Sequence, residues 1–289
     1  MTEKVQVRGV AGLVSEALVR AGSTFREDKK EAYREAIRQE TNDKARWVLE
    51  TILQNAEAAE ENRGPLCDDT GIPHLLLEVG PEKAVTGKML AEIREGVADG
   101  LRKLPGRPMG IMGDDRSRID QSGGLDPDSA GVAPAPVLIR SCEENVIRLH
   151  ILMFGGGPAI RAKTYRVFHK HSTETVLDEI VNWATEGVRQ LGCTPCTLAV
   201  GIGRSHYEAA ALMLQAQADG RYSRQSDMEQ EITRRVNEAD IGPLGLHGKT
   251  SVLATFLKVG PQRASGVRIV CMRPACCFEP RIATVELPG

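Results

Sequence analysis

Hydrophobic side chains in the first sixty residues recur with the spacing of α-helices. Between residues 10 and 21 they fall three or four positions apart, and Gly22 follows where a helix C-cap is expected. A charge-rich segment over residues 29–39 and a second apolar stripe over residues 45–56 extend this pattern to a polar turn at 62–65. The chain is therefore predicted to open with three helices.

After residue 65, short apolar runs alternate with helical stripes. A polar turn over residues 67–73 precedes the run at 75–79, which predicts a strand. A stripe over residues 172–191 predicts a helix that ends at Gly192, so Cys193 emerges at a helix end. Further helices are predicted at 88–103, 205–218 and 226–239, a strand pair at 137–140 and 146–152, and single strands at 197–202, 267–272 and 283–287. This order indicates an α+β fold, rich in helix, with small mixed β-sheets.

Composition and charge exclude several classes of protein. Hydrophobic residues make up 41% and charged residues 26% of the 289 residues, as in ordinary globular proteins rather than disordered ones. A net charge of -2 gives no long-range field for nucleic acid or anionic lipid, and an aromatic content of 4% disfavours an all-β fold. No apolar window reaches the length of a signal peptide or membrane span. We therefore expect a cytoplasmic protein that binds neither nucleic acid nor membrane.

Seven cysteines, an odd number, occur without an export signal, so a disulfide framework is disfavoured. Cys142 and Cys271 lie in or beside predicted strands, where a thiol is usually a small buried hydrophobic group. The remaining cysteines are candidates for metal ligands or buried thiols, and they lie at positions 67, 193, 196, 276 and 277.

The Cys193-Thr194-Pro195-Cys196 motif allows three interpretations, namely a redox pair, half of a zinc site or part of an iron–sulfur site. A redox pair places its first cysteine at the start of a helix, whereas Cys193 follows one. The adjacent Cys276 and Cys277 are awkward as two ligands of one tetrahedral zinc ion. Iron–sulfur ligands can come from separate loops, so that interpretation meets neither objection. A structural zinc site built from Cys193, Cys196, Cys276 and Cys277 remains an alternative.

The segment Gly248-Lys249-Thr250 resembles the end of a phosphate-binding P-loop, but the pattern fails. The position that needs glycine is Pro243, and the segment follows a predicted helix instead of a strand. A glycine-rich loop beside a lysine can still hold a carboxylate or phosphate through its backbone N–H groups. The alternative is an ordinary turn with a solvated lysine.

Four motifs, taken in order, resemble a known family. They are residues 65–71 (PLCDDTG), 192–203 (GCTPCTLAVGIG), 241–250 (IGPLGLHGKT) and 277–281 (CFEPR). The chain is similar over most of its length to the α subunit of the iron–sulfur hydro-lyases, class I fumarase and L-tartrate dehydratase. The resemblance implies one family domain over residues 1–289, with its cysteine loops converging on one cleft. It also implies that Cys67, Cys193 and Cys277 hold a [4Fe-4S] cluster with one iron free of protein ligands, with Cys276 as the fallback for Cys277.

The resemblance implies the reversible addition of water to a small dicarboxylate, or its loss from a hydroxy acid. An iron with an open position polarises a carboxylate and a hydroxyl group, which lowers both barriers to dehydration. Asp69 matches the family's catalytic aspartate, which orients or activates an acid–base group, although an Asx-turn role is the alternative. Arg107, in the long Gly- and Pro-rich loop 105–136, matches an arginine that clamps a substrate carboxylate, or it is a solvated loop residue. The other expected substrate-binding residues are Asp68, Thr70, Gly156, Gly157, Arg161 and Lys249.

Three departures from the family pattern lie near the expected substrate. Asp68 replaces a glutamine, residues 124–129 (GLDPDS) replace a Thr-Gly-Asp-Asn-Thr type stretch, and the triple glycine continues as residues 158–163 (PAIRAK). We hypothesise that Arg161 and Lys163 balance the negative charge that Asp68 adds. The departures leave open whether the substrate is of the fumarate/malate or the tartrate/oxaloacetate type. A non-catalytic or regulatory paralogue is the second hypothesis.

Single-chain members of the family carry a second domain that completes the active site, and no such domain follows the matched motifs here. We therefore expect a separate β subunit, an α₂β₂ assembly and a small anionic substrate.

Overall fold

The computed structural model describes residues 9–104 and 109–289 and confirms the predicted α+β class. Helices accompany two four-stranded sheets, each of which contains both parallel and antiparallel neighbours. The chain divides into two compact units, which are described separately. The single family domain predicted over residues 1–289 spans both units and stays a prediction.

The first unit contains residues 9–24, 59–153 and 281–289, apart from 105–108. Its strands, in sheet order, are β2 (Leu138–Ser141), β1 (Ile72–Val79), β3 (Ile147–Phe154) and β8 (Arg281–Leu287). Helices α1 (Val10–Ser23) and α4 (Gly87–Lys103) pack together against one face of this sheet. Their contact is close at Gly96, where an added Cβ would lie 2.5 Å from the carbonyl oxygen of Ala11.

Two details of the first unit differ from the sequence-based predictions. Strands β2 and β3 were predicted to pair with each other, but β1 lies between them. The reason is burial, because Leu75, Leu76 and Leu77 of β1 are all fully buried and such a strand belongs in the middle of a sheet. Gly22 is also not the C-cap of α1, since the helix continues to Ser23 and Thr24 caps it.

The long segment 105–136 contains regular structure within its described part. A short helix, α5, spans Asp115–Asp120, and a 3₁₀ turn spans Ser129–Val132. Asp128 caps that turn through the Ala130 N–H and forms an ion pair of 2.7 Å with Arg102 at the end of α4. The departure at residues 124–129 therefore has a folding role.

The second unit contains residues 25–58 and 154–280. Its sheet has the strand order β4 (Lys163–Phe168), β7 (Val267–Ala275), β5 (Cys196–Gly203) and β6 (Val252–Val259). Strands β4 and β6 are not among the predicted elements. The helices of this part of the chain are α2 (Glu27–Gln39), α3 (Asp43–Asn62, which ends in the first unit), the short α6 (Gly156–Ala159), α7 (Thr173–Leu191), α8 (His206–Asp219) and α9 (Asp227–Asn237). Within the two described ranges, no helix has the length and apolar character needed to cross a membrane.

Strand β5 is the buried centre of the second sheet, and helix α8 lies directly on it. All eight residues of β5 are buried, and its parallel neighbour β6 and antiparallel neighbour β7 flank it. A Cβ on Gly201 would lie 2.1 Å from the carbonyl oxygen of Ala209 and 2.4 Å from the amide nitrogen of Met213. The strand that follows the Cys193 turn is thus positioned by backbone contact with α8, which only glycine permits.

We expect Gly201→Ala to lower the free energy of unfolding by about 3 kcal/mol, because backbone atoms of α8 cannot move aside as a side chain can. Gly266→Ala is the matched control, since Gly266 lies in the same unit with open space around its Cβ position. Urea unfolding of the purified chains measures both, and we expect a change under about 0.5 kcal/mol for the control. Equal effects of the two substitutions would contradict this account of the contact.

Candidate metal centre and active site

The first predicted cysteine turn lies in the first unit, between α3 and β1. Cys67 is half-buried, and its Sγ lies 3.6 Å from Oδ1 of the exposed Asp68. Arg281, itself buried, donates a hydrogen bond of 2.6 Å to the main-chain carbonyl of Asp69. The Thr70 hydroxyl is buried without a hydrogen-bond partner in the part of the chain that the structure describes. The turn thus joins a thiol, two carboxylates and a buried hydroxyl group over four consecutive residues.

The second cysteine turn joins α7 to β5 in the second unit. Gly192 ends α7 with a φ of 77°, as the sequence predicts, and Cys193 follows with an exposed side chain. Thr194 anchors the turn, since its hydroxyl donates to the carbonyl of Gly242 at 2.6 Å. Cys196 is fully buried as the first residue of β5, and burial holds the pKa of its thiol well above the usual value. Of the two cysteines in the motif, only Cys193 is available to a ligand.

The third cysteine turn follows β7 and is bonded directly to the second. The Cys277 N–H donates to the carbonyl of Cys193 at 2.9 Å, and the Glu279 N–H closes the turn onto the carbonyl of Cys276. Cys277 is buried and Cys276 is half-buried. A hydrogen bond with Cys276 and burial of the side chain keep the pKa of Cys277 well above that of a free thiol. The structure therefore brings Cys193 and Cys277 onto adjacent turns.

A buried ion pair links the third turn to the triple-glycine turn. The Glu279 carboxylate pairs with the Arg273 guanidinium, and both side chains are almost completely buried. The same carboxylate accepts the N–H of Gly155, while Arg273 donates to the Gly155 carbonyl at 3.4 Å. The guanidinium also lies 3.9 Å from the centre of the Phe154 ring. Sequence reasoning included Glu279 in a motif but assigned no role to it or to Arg273.

Two side chains of α2 donate hydrogen bonds to main-chain carbonyls of the third cysteine turn. Tyr33 donates from its hydroxyl to the carbonyl of Cys277 at 2.8 Å, and Lys29 donates to the carbonyl of Glu279, also at 2.8 Å. Burial lowers the pKa of the Lys29 ammonium to about 7, although Cys276 and Cys277 act against that shift. Sequence reasoning missed both residues, because α2 is so rich in charge that a buried lysine gives no distinct signal. The only sequence signal is their i, i+4 spacing on one face of α2.

The triple-glycine turn itself leads into the short helix α6. Gly156 begins α6, and a Cβ at Gly157 would meet open space. Arg161 donates to the carbonyl of Gly157 at 3.0 Å and to the carbonyl of Gln190 at 2.6 Å, in the last turn of α7. A cation at this position caps the carboxyl end of a helix. Arg161 thus has a structural role, and its predicted contact with substrate stays a prediction.

Lys249 lies in the glycine-rich loop 241–250, whose backbone N–H groups bind a carboxylate of the protein itself. The buried Glu40 accepts the Lys249 N–H at 2.8 Å and the N–H groups of Thr41 and Asn42. Asp240 accepts the N–H of Gly248 at 2.9 Å. The exposed Lys249 side chain lines a cavity of about 450 Å³ together with residues of α2. The loop thus binds carboxylates as predicted, but they belong to Glu40 and Asp240 of the protein itself.

The predicted site residues fall into three groups. Cys67, Asp68, Asp69 and Thr70 belong to the first unit, and Gly156, Gly157, Arg161, Cys193, Lys249 and Cys277 belong to the second. Arg107 lies outside the described residues. Convergence of all three cysteine loops on one cleft stays a prediction.

Two of the expected ligands are sulfur donors on adjacent turns. Within residues 9–104 and 109–289, no three His, Cys, Asp or Glu side chains form a group that could hold one metal ion. Cys196, one of the four ligands of the zinc alternative, is fully buried as the first residue of β5. The thiolates of a cubane cluster bind different irons and so stand farther apart than the ligands of one ion. Cys193 and Cys277 on adjacent turns, both soft sulfur donors, suit such a cluster.

Comparison with known proteins identifies the family. The sequence profile of the family described as "Fumarate hydratase (Fumerase)" matches residues 11–286. The "Putative L(+)-tartrate dehydratase subunit alpha" of Methanocaldococcus jannaschii is 27% identical over 277 residues, which cover 91% of this chain and 94% of that protein. The L(+)-tartrate dehydratase subunit alpha of Escherichia coli K12 is 23% identical over 238 residues, which cover 80% of this chain and 75% of that protein.

The family profile extends over nearly the whole chain and includes all three cysteine turns and the triple-glycine turn. The resemblance found in the four motifs is therefore confirmed. The chain belongs to the fumarate hydratase family and is a hydro-lyase enzyme.

Proposed function

We propose that the chain is the iron–sulfur subunit of a two-subunit hydro-lyase acting on a small dicarboxylate or hydroxy acid. The observation that carries the proposal is the main-chain hydrogen bond of 2.9 Å between Cys277 and Cys193, which joins two of the three expected ligand turns. The family gives the class of reaction. The relatives named as tartrate dehydratase subunits favour a hydroxy-dicarboxylate of the tartrate type over fumarate.

In this proposal Cys67, Cys193 and Cys277 hold a [4Fe-4S] cluster with one iron free of protein ligands. The cluster supplies a Lewis acid for a carboxylate and the departing or attacking hydroxyl group. Cys196 is excluded as a ligand by its burial in β5. Cys276 remains the fallback for Cys277, because their side chains are in hydrogen-bonding contact.

Asp69 and Thr70 are the residues of this chain that act on the substrate side of the first turn. The bond from Arg281 to the Asp69 carbonyl holds the backbone there, so the carboxylate is presented from a fixed position. A carboxylate so placed orients or activates a neighbouring acid–base group for proton transfer beside the substrate carboxylate. The buried Thr70 hydroxyl is a hydrogen-bond donor suited to an anionic oxygen.

The triple-glycine turn is the second candidate for substrate contact. Gly157 leaves open space where other residues carry a side chain, so a ligand oxygen can reach the backbone. Glu279 fixes this turn through the Gly155 N–H. Asp68, Arg107, Arg161 and Lys249 complete the proposed substrate-binding set, and their roles rest on the resemblance alone.

The proposal includes a separate β subunit, because both relatives are named as α subunits. We propose an α₂β₂ assembly in the cytoplasm, with further substrate-binding groups supplied by the partner.

We expect the anaerobically reconstituted chain to bind about four irons with matching sulfide, and mild oxidation to give a three-iron EPR signal. Cys67→Ser, Cys193→Ser and Cys277→Ser should each reduce the iron content strongly, because three thiolates are the minimum that holds such a cluster. Cys142→Ser is the control and should keep the wild-type iron content. A brown Cys277→Ser protein beside a colourless Cys276→Ser protein would reassign the third ligand.

We expect Asp69→Asn to lower kcat by roughly 10²–10⁴-fold, as loss of a group in proton transfer does. KM and the absorption spectrum of the cluster should change little, because the amide keeps the shape of the carboxylate. Steady-state hydration assays with the β subunit present measure both constants. An unchanged kcat would leave Asp69 with only its turn-forming role.

We expect the purified chain alone to bind the cluster but to show little turnover, and activity to appear when the β subunit is added. Assays over tartrate, malate and fumarate, with and without the partner, test this. Full activity of the isolated chain would overturn the two-subunit proposal. A cluster-bearing complex that converts none of these acids would favour the non-catalytic paralogue.

A further inference from the structure

Two basic side chains and one carboxylate are buried at the third cysteine turn. Lys29 and Arg273 are each 1% exposed, and the carboxylate of Glu279 is 0% exposed. Glu279 pairs with Arg273, whereas the hydrogen bond of Lys29 goes to the uncharged main-chain carbonyl of Glu279. No other carboxylate bonds either cation within the described ranges. A protonated Lys29 therefore adds one buried positive charge that the Arg273–Glu279 pair does not balance.

Burial makes that excess costly. An ammonium removed from water loses much of its hydration free energy, and one bond to a carbonyl restores only part of it. The Phe25 ring, 4.0 Å from the Lys29 nitrogen, and the Tyr33 ring, at 6.0 Å, add a modest cation–π attraction. Lysine is among the residues least often buried without a charged partner.

The groups near Lys29 indicate which negative charge its ammonium can balance. The carbonyl that Lys29 binds belongs to Glu279, two residues beyond Cys277, and Tyr33, one helical turn along α2, binds the carbonyl of Cys277 itself. Glu279 is already paired with Arg273, and Arg26 repels Lys29 and is itself paired with Asp28 at 2.7 Å. The thiols of Cys276 and Cys277 belong to the same turn and become anionic when they bind a metal.

We infer that Lys29 is the buried counter-charge of the cluster, a positioning residue that holds the third turn and offsets the negative charge of its thiolates. The inference rests on the proposed function and deepens it. Lys29 reaches the turn from α2, 250 residues away in sequence. Because Lys29 itself is shielded from water, its charge acts on the turn with less screening than a surface charge would. Lys29 thus tunes the reduction potential and lifetime of the cluster.

Tyr33 offers a matched control for the charge. Like Lys29, it lies on α2, is fully buried and donates one hydrogen bond of 2.8 Å to a main-chain carbonyl of the same turn. Tyr33→Phe and Lys29→Met each remove one donor and leave one carbonyl unbonded. Only Lys29→Met also removes a charge, so any difference between the two variants reports on charge.

The experiment measures three quantities on anaerobically reconstituted full-length chains, namely the midpoint potential of the cluster, its rate of loss to a chelator, and the unfolding free energy of the apoprotein. We expect Lys29→Met to lose its cluster roughly tenfold faster than Tyr33→Phe and to have a more negative potential. The apoprotein of Lys29→Met should be at least as stable as that of Tyr33→Phe, because the substitution also removes a desolvated charge. Lys29→Gln, which keeps a donor without the charge, should follow Lys29→Met and replaces it if the methionine chain does not fold.

Equal potentials and equal rates of loss in Lys29→Met and Tyr33→Phe, with an intact wild-type cluster, would overturn the counter-charge and leave the proposed function standing. The counter-charge would also be overturned if both Lys29 variants gave apoproteins less stable than that of Tyr33→Phe without a shift of the cluster potential. The charge would then stabilise only the fold. A wild-type chain that binds no cluster would overturn both proposals.

Discussion

The second unit depends on the buried ion pair between Arg273 and Glu279. Both side chains are shielded from water, so removal of one partner leaves an uncompensated charge that costs about 3–5 kcal/mol. The pair spans only six positions in sequence, yet it binds the N–H and carbonyl of Gly155 from a distant segment. One carboxylate and one guanidinium thereby hold both the third cysteine turn and the triple-glycine turn. Such support keeps the side chains of a site in fixed positions.

A second buried carboxylate organises the loops beside Cys193. Glu40 accepts three backbone N–H groups and fixes the far end of the glycine-rich loop, whose near end is bonded to Thr194. The P-loop-like segment Gly248-Lys249-Thr250 therefore belongs to a loop whose backbone binds the Glu40 carboxylate. The N–H groups of such a tight turn attract a carboxylate in the same way whether it belongs to a ligand or to the protein itself.

Two of the three departures from the family pattern also have structural explanations. Arg161 binds carbonyls at the end of α7, and Lys163 pairs with Glu186 at 2.7 Å. Their side chains stabilise the helix that presents Cys193, so the charge balance proposed for Asp68 has no support from these contacts. The three cysteines are retained, and Arg161 and Lys163 support the helix that leads to Cys193.

The sequence by itself determined most of the helices and the family, because helical stripes and ordered motifs are local properties of the chain. It did not predict strands β4 and β6. It predicted α7, its glycine end and the Cys193 turn. It predicted neither the place of β1 between β2 and β3 nor the buried positions of Lys29 and Tyr33. Those depend on contacts between segments far apart in sequence, such as the 250 residues between Lys29 and Glu279. Only tertiary structure decides such contacts, because a charged side chain on a helix looks the same in sequence whether water or a buried turn surrounds it.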